Sequence, residues 1–365
     1  MCMHHRKHSI FCILPPHILR EIAKNTKDNE LRSKALNTLA LDQTSRASRT
    51  NQQFMGGTVM RTMMAGTPKV QRTIFTASES NDLPGELVRS EGAAKTGDAA
   101  TDEAYDGLGA TFDFYDKILQ RNSIDDQGMP LKATVHFDKD YDNAFWNGEQ
   151  MVFGDGDGAL FNRFTISLDV IGHELTHGVT DSTAKLVYLG QSGALNESMS
   201  DVFGSMIKQF SLDQTAEKAD WLIGAGLLAK TVHGKALRSM KNPGTAYDDP
   251  QLGKDPQPAT MSTFVTTHSD NGGVHINSGI PNRAFCLVAL ALGGHSWEKA
   301  GQIWYATLRD SNLTKTANFN LFANLTTKNA GHLFGSTSVE RKAVIDAWKT
   351  VGVKVKPLAV AAGAK

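Results

Sequence analysis

Cysteine is almost missing: Cys2, Cys12 and Cys286 are the only three in 365 residues. Three thiols at those separations build neither a disulfide framework nor a zinc site of the CxxC type, which implies a reduced or cysteine-indifferent compartment. An excess charge of one sign is missing too. The 38 basic and 38 acidic side chains cancel to a formal net charge of zero. No polybasic surface is on offer to nucleic acid or an anionic membrane, and neither is expected as a partner. Long apolar runs are also absent, since nothing approaches the roughly 18–20 residues that a bilayer span requires. Near the N-terminus the basic group His4, His5, Arg6, Lys7 and His8 leads into SIFCIL, which is too short for a secretory h-region and is closed by Pro15 and Pro16. No signal peptide is read there. That leaves a cytoplasmic location, or secretion by a route that uses no cleavable signal.

What is present describes an ordinary globular protein, 40% hydrophobic and 21% charged, long enough for two or three domains. Residues 1–50 form a segment of their own. A helical pattern through Ile18, Leu19, Ile22, Ala23, Leu31, Ala35 and Leu39 gives way to DQTSRASRTNQQ, which reads as an exposed linker with Arg46 and Arg49 open to proteases. Composition fits equally a cleavable propeptide and a helical extension on a flexible joint. Residues 51–182 read as a β-rich lobe, with VQRTIFTA, ATVHFD and NAFWNGEQMVF as strands, one helix from Ala100 to Gln120, and a tight structural turn at the DGDG of Asp155 to Gly158. Residues 183–353 carry helical stripes interrupted by a long Gly- and Asp-rich stretch at 211–275, and 354–365 read as a flexible tail. The expected fold is α+β in two lobes, with a β-rich N-lobe, an α-helical C-lobe and the helix described next between them.

That helix is SLDVIGHELTHGVTD, Ser167 to Asp181, with Ser167 and Asp169 as cap and first-turn acid. His173 and His177 are one turn apart on one face, so their imidazoles can grip a single metal ion, while Glu174 is rotated about 100° away, where a general base belongs. By itself the pentapeptide also fits an ordinary amphipathic helix. A catalytic zinc needs a third protein ligand and one open position. Downstream, GALNESMSD offers Glu197 as that ligand and Asp201, four residues on, to accept a hydrogen bond from the second ring nitrogen of His173.

HELTHGVTD, GALNESMSDVFG, DNGGVHINSGIPNRAF, NAFWNGEQMVFGDGDG and GSTS stand in an order that resembles the thermolysin-like zinc metalloendopeptidases over residues 72–353. The N-terminal segment with Pro15-Pro16 is similar to the short propeptides of the protealysin-like branch, although PPHIL departs from the branch's usual PPL. The resemblance implies a zymogen, activated when the linker is cut, whose zinc is held by His173, His177 and Glu197 with Glu174 as base and then acid. It implies Tyr188 and His275 as oxyanion donors and Asp270 as the residue that orients His275. It implies Asn143, Ala144 and Arg238 as groups that hold the substrate backbone. Phe161, Phe164, Val170, Ile223 and Leu237 would line a pocket for a bulky hydrophobic residue on the C-terminal side of the cut bond. The family's paired calcium site is expected to be empty of calcium here, because Lys208, Leu222 and Ala225 stand where the family has acidic residues while Asp169 and Asp220 remain. The propeptide, through its Pro15 to Leu19 segment, would act as an intramolecular inhibitor, and a thiolate of Cys2 or Cys12 on the zinc is the competing device. Protein or peptide substrates are the expected partners and a monomer the expected state. A catalytically silent, zinc-stabilised peptide-binding protein is the alternative function, and an exopeptidase would need an anchor for a free chain end that is not evident.

Overall fold

The computed structural model describes residues 11–55 and 69–355. The chain opens with a short strand, β1 (Phe11–Cys12), followed by helices α1 (Pro16–Asn25) and α2 (Asn29–Met55). Pro15 and Pro16 start α1 at its cap and first turn, where a proline removes no helical hydrogen bond. Ile18, Leu19 and Ile22 form the buried face of α1. No glycine or proline interrupts residues 29–55, and α2 runs on through DQTSRASRTNQQ instead of ending before it. The exposed-linker expectation fails at its first residue. Asp42 is buried, with Tyr141 Oη and Asn143 Nδ2 donating to its carboxylate at 2.9 and 2.8 Å. A polar residue that looked like solvent-facing linker is a bonded interface group. Cys2 and the tail beyond residue 355 lie outside the described residues.

Next come β2 (Arg72–Thr76), β3 (Glu86–Ser90), α3 (Ala99–Leu119), β4 (Leu131–Val135), β5 (Ala144–Trp146) and β6 (Met151–Phe153). They join β1 in a six-stranded sheet of order β1-β5-β6-β4-β2-β3. Strands β2, β4 and β6 are parallel, while β5 runs antiparallel to β6 and β1 antiparallel to β5. Helix α3 packs between this sheet and the next helix, which Tyr115 Oη reaches through a 2.8 Å hydrogen bond with Thr176 Oγ1. The DGDG stretch is a tight turn. Asp157 Oδ1 accepts the backbone N–H groups of Ala159, Leu160 and Phe161 at 2.8–3.0 Å.

The remaining elements are α4 (Leu168–Ser182), α5 (Gly190–Ser211), β7 (Leu222–Ile223), β8 (Arg238–Ser239), β9 (Asp248–Asp249), β10 (Gly253–Lys254), α6 (Asp270–Asn277), α7 (Gly279–Leu292), α8 (Ala300–Leu308), α9 (Phe319–Phe334) and α10 (Val339–Thr350). The architecture is the α+β, two-lobe one expected, with α4 between sheet and helices. Helix α4 begins where the sequence suggested, but Ser167 does not cap it: its hydroxyl donates to the Ala225 carbonyl at 2.7 Å. Helices α4 and α5 touch almost backbone to backbone. A Cβ on Gly204 would lie 2.4 Å from the Asp169 carbonyl oxygen and 3.0 Å from the His173 nitrogen, and one on Gly172 would lie 3.2 Å from the Gly204 Cα. These two glycines let side chains from both helices meet at one point.

A polar clamp closes the far side of the N-lobe. His136 bonds Asp155 Oδ2 through Nδ1 at 2.7 Å and Asp98, the N-cap of α3, through Nε2 at 3.2 Å. The Asp155 hydrogen bond, against burial and with the charges of Asp155 and Asp98, raises its pKa from 6.5 to about 9. A folded value above the unfolded one means stabilisation that is complete below about pH 6.5 and fades as pH rises through 9. Thermal melts from pH 6 to pH 10 should therefore show a falling midpoint, and His136→Gln should flatten that slope while lowering the midpoint at pH 6.

Candidate active site

The close approach of α4 and α5 brings His173, His177 and Glu197 together, fully buried, with one donor atom of each within 4.8 Å of the others. The two Nε2 atoms are 3.1 Å apart, and Glu197 oxygens lie 3.4 Å from His173 Nε2 and 3.5 Å from His177 Nε2. Each ring is fixed from behind. His173 Nδ1 bonds Asp201 Oδ1 at 2.7 Å, and His177 Nδ1 bonds Asn196 Oδ1 at 2.8 Å with Ser200 Oγ at 3.1 Å. With the Nδ1 hydrogens given to those acceptors, both Nε2 lone pairs and a carboxylate converge on one spot. That donor set suits a divalent zinc ion. Burial opposes a charge on His173, yet the Asp201 hydrogen bond and the charges of Asp201 and Glu197 override it and raise its pKa to about 9.

Asn196 and Ser200 form an i, i+4 pair facing His177, one residue out of step with Glu197 and Asp201. The sequence reading missed them, although the same periodicity in GALNESMSD could have found them. Asp201 is more connected than foreseen. Besides His173 it accepts from Arg238 Nη2 at 2.8 Å, Arg238 Nε at 2.9 Å and Asn282 Nδ2 at 2.8 Å. Burial would raise its pKa, but Arg238 and His173 hold it at about 2.

Glu174 is on the next face of α4, its Oε2 accepting the backbone N–H of Trp146 on β5 at 3.1 Å. On the opposite side, Asp270 Oδ1 is 2.6 Å from His275 Nδ1, and Asp270 Oδ2 accepts the His275 N–H at 2.9 Å. The left-handed run Asp270, Asn271, Gly272 and Gly273 (φ 54°, 50°, 83° and 76°) turns the chain so that Asp270 reaches back to the ring. Tyr188 Oη is 3.2 Å from His275 Nε2 and also bonds Glu197.

The cleft is filled by the protein's own N-terminus. Strand β1 pairs with β5 in the register Phe11↔Trp146 and Cys12↔Phe145. Ile13 N–H donates to the Ala144 carbonyl at 3.1 Å, Leu14 N–H to Asn143 Oδ1 at 3.0 Å, and Arg238 Nη1 to the Ile13 carbonyl at 3.0 Å. His275 Nε2 is 3.1 Å from the Cys12 carbonyl oxygen, which can only accept. The backbone groups bonded in the cleft belong to Cys12, Ile13 and Leu14, and Pro15 to Leu19, the stretch expected to block it, follow directly as the start of α1. The Cys12 side chain points elsewhere: Sγ is 3.7 Å from Asp42 Oδ1, in a small cluster with Phe137, Tyr141 and Phe145. Nothing in the Cys12 geometry favours a thiolate on the metal ligands.

Phe161, Phe164, Val170, Ile223 and Leu237 are all buried, in the same hydrophobic cluster as Ile13. The two phenyl rings are 6.1 Å apart, Leu237 N–H donates to the Ile223 carbonyl at 3.0 Å, and Ile223 pairs with Arg238 across β7 and β8. At the start of α4, the ammonium of Lys208 on α5 donates to Asp169 Oδ2 at 2.7 Å, Asp220 Oδ1 at 2.9 Å and the Leu222 carbonyl at 2.8 Å.

Comparison with known proteins gives a consistent picture. The family model described as "Thermolysin metallopeptidase, catalytic domain" matches residues 27–181, and that described as "Thermolysin metallopeptidase, alpha-helical domain" matches residues 184–353. The chain is 55% identical over 347 residues to a protein of Pectobacterium carotovorum subsp. carotovorum named "Extracellular metalloprotease", covering 95% of this chain and 97% of the relative. It is 52% identical over 351 residues to "Protease PrtS" of Photorhabdus sp. (strain Az29), covering 94% and 92% respectively. Among solved structures, the precursor of protealysin, a metalloproteinase from Serratia proteamaculans, superimposes with a TM-score of 0.85 at 54% identity, covering 94% of this chain and all of that one.

Asp201 offers a direct test of how the site is held. Asp201→Asn should weaken Zn²⁺ binding by about 10–100-fold, the usual cost of losing a carboxylate behind a ligating histidine. Competition against a chromophoric chelator measures it; an unchanged affinity would show that His173 needs no such support.

Proposed function

Since the chain belongs to the thermolysin metallopeptidase family, we propose that it hydrolyses peptide bonds on the N-terminal side of bulky hydrophobic residues, with His173, His177 and Glu197 as zinc ligands. It is a zinc-dependent metalloendopeptidase made as a zymogen. One observation carries the assignment of roles: His275 Nε2 meets the Cys12 carbonyl 3.6 Å from Glu197 of the buried donor trio, while Glu174 is bonded to Trp146, the residue that pairs with Phe11 of the same strand, so that all of them converge on one stretch of the cleft. A silent peptide-binding protein would have no use for that convergence.

When bound, zinc supplies Lewis acidity and brings the pKa of a coordinated water down to about 7. Glu174, held by the Trp146 N–H, takes a proton from the attacking water and gives it to the departing amine nitrogen, so one carboxylate is base and then acid. His275 Nε2 and Tyr188 Oη donate to the carbonyl oxygen as negative charge develops on it, with Asp270 keeping the His275 ring turned toward it. Arg238 and Asn143, with the Ala144 carbonyl, hold the substrate backbone as an added strand on β5. The apolar pocket of Phe161, Phe164, Val170, Ile223 and Leu237 takes the side chain after the cut, and burying a Leu or Phe there contributes about 1.5–3 kcal/mol.

The N-terminal segment, with its Pro15-Pro16 turn into α1, is the intramolecular inhibitor, and its strand of Cys12 to Leu14 occupies every backbone-holding group just named. Release follows a cut between α2 and the catalytic portion. Lys208 stands in for calcium: its three ammonium hydrogens meet three oxygens, which leaves no seat for a hard cation. The Pectobacterium relative's name supports work outside the cell. The enzyme acts as a monomer, and among the described residues no helix is long and apolar enough to cross a membrane.

Glu174→Gln should lower kcat on a Phe-Leu peptide by at least about 10²-fold with zinc still bound, as expected for removal of a general base; equal activity would remove the mechanism. Replacing the residue after the cut by Asp or Lys should reduce kcat/KM by about 10-fold or more, the worth of one lost apolar burial. Thermal midpoints measured with 5 mM chelator selective for calcium and with about 5 mM calcium should coincide, and a calcium-dependent rise would overturn the Lys208 reading.

A further inference from the structure

The bonds that seat the N-terminal strand single out one peptide bond. Going along the strand, the Cys12 carbonyl is the one that meets His275 Nε2, at 3.1 Å, and His275 Nε2 is itself 3.6 Å from Glu197 Oε2. The next amide, Ile13 N–H, is bonded to the Ala144 carbonyl, and the next carbonyl, that of Ile13, meets Arg238, whose remaining contacts go to Asp201. Leu14 N–H then reaches Asn143 Oδ1. The strand also runs antiparallel to β5, so its backbone donors and acceptors interlock with the cleft instead of merely covering it. A plug needs none of this alignment. A substrate needs all of it.

We propose that the strand is bound in substrate register with Cys12–Ile13 as its scissile bond, and that the protein hydrolyses this bond in its own chain. The inference rests on the peptidase reading above and adds a cleavage site inside the inhibitory segment. Water adds across the amide: its oxygen bonds to the Cys12 carbonyl carbon as the C–N bond breaks, and the Ile13 nitrogen takes up both of its protons. A carboxylate at Cys12 and an ammonium at Ile13 result. Ile13 carries the bulky aliphatic side chain that the apolar pocket selects, so the specificity proposed for outside substrates is met from within.

The nick does not open the cleft. On the C-terminal side, Ile13 and Leu14 stay joined to α1, whose Ile18, Leu19 and Ile22 are buried, and to α2, whose Asp42 is bonded to Tyr141 and Asn143. Ile13 and Leu14 therefore remain seated as the C-terminal product, and the inhibitor stays after the nick.

The test uses full-length protein loaded with zinc, wild type beside Glu174→Gln, with chelator-stripped wild type as a second control. Intact-mass measurement and N-terminal sequencing should find a new terminus at Ile13 in the wild type only. It should accumulate at a rate independent of protein concentration over a tenfold range. In Glu174→Gln, hydrogen exchange should show the Ile13 and Leu14 amides slowed at least about 100-fold against an unstructured chain, a readout that needs no turnover. Exchange at the unstructured rate at both amides would overturn the register. A wild type that cuts an added Phe-Leu peptide after linker cleavage, yet never yields an Ile13 terminus, would overturn the inference and leave the peptidase reading standing. If neither bond were cut, the peptidase reading itself would fall and this inference with it.

Discussion

The Asp201 carboxylate ties the metal-binding ring to the wall of the cleft, and the rest of the site depends on that tie. It holds His173 from behind and receives two nitrogens of Arg238, whose third nitrogen reaches the strand in the cleft. Taking an arginine and an aspartate out of water costs several kcal/mol per ion, and their attraction offsets this only when the remaining hydrogen-bonding capacity is filled. Here it is filled. Asn282 supplies a fourth donor to the carboxylate, and Arg238 and His173 outweigh burial and keep Asp201 ionised down to about pH 2. One anion thus sets the tautomer of a metal ligand and fixes the angle of a backbone-holding arginine, which makes grip and metal geometry a single unit.

That unit exists because two helices can come unusually close. Gly172 and Gly204 remove the side chains that would otherwise separate α4 from α5, and the i, i+4 pairs on each helix then face one another across the gap. His173 and His177 come from one side, and Glu197 with Asp201 and Asn196 with Ser200 from the other. A larger residue at Gly204 would meet the Asp169 carbonyl and force the two helices, and the ligands they carry, apart.

This also explains what was legible in the residues. Relations within one helix repeat every 3.6 residues, so HELTH and the Glu197–Asp201 pair could be read directly, and the family resemblance supplied Tyr188, His275 and Arg238 on matching motifs. Contacts between distant segments leave no such period. Nothing in DQTSRASRTNQQ marks Asp42 as the partner of Tyr141 and Asn143, about 100 residues away, and a solvated linker was the natural reading of its polarity. The part played by the prolines depends on a similar contact. They carry a recognisable motif, but a proline lacks the N–H that an added strand must donate, so the bonding falls to Ile13 and Leu14 just before them and the prolines serve to start α1. Ser167 likewise stood at the right position for a cap, yet the Ala225 carbonyl competed for its hydroxyl.

Asn143 shows how the N-terminal segment secures itself. Its amide is gripped from two sides: Nδ2 donates to Asp42 on α2, which leaves Oδ1 turned to accept from Leu14 on the strand. The helix orients the group that receives the strand, so the two parts of the segment support each other through a residue of the catalytic portion. Cutting the chain beyond α2 breaks none of these bonds. What it changes is the association, from an intramolecular one, with an effective concentration on the order of millimolar, to a bimolecular one that dilution can defeat. Activation by a linker cut is on this account a loss of tethering, and the hydrogen bonds that hold the cleft shut are the same before and after.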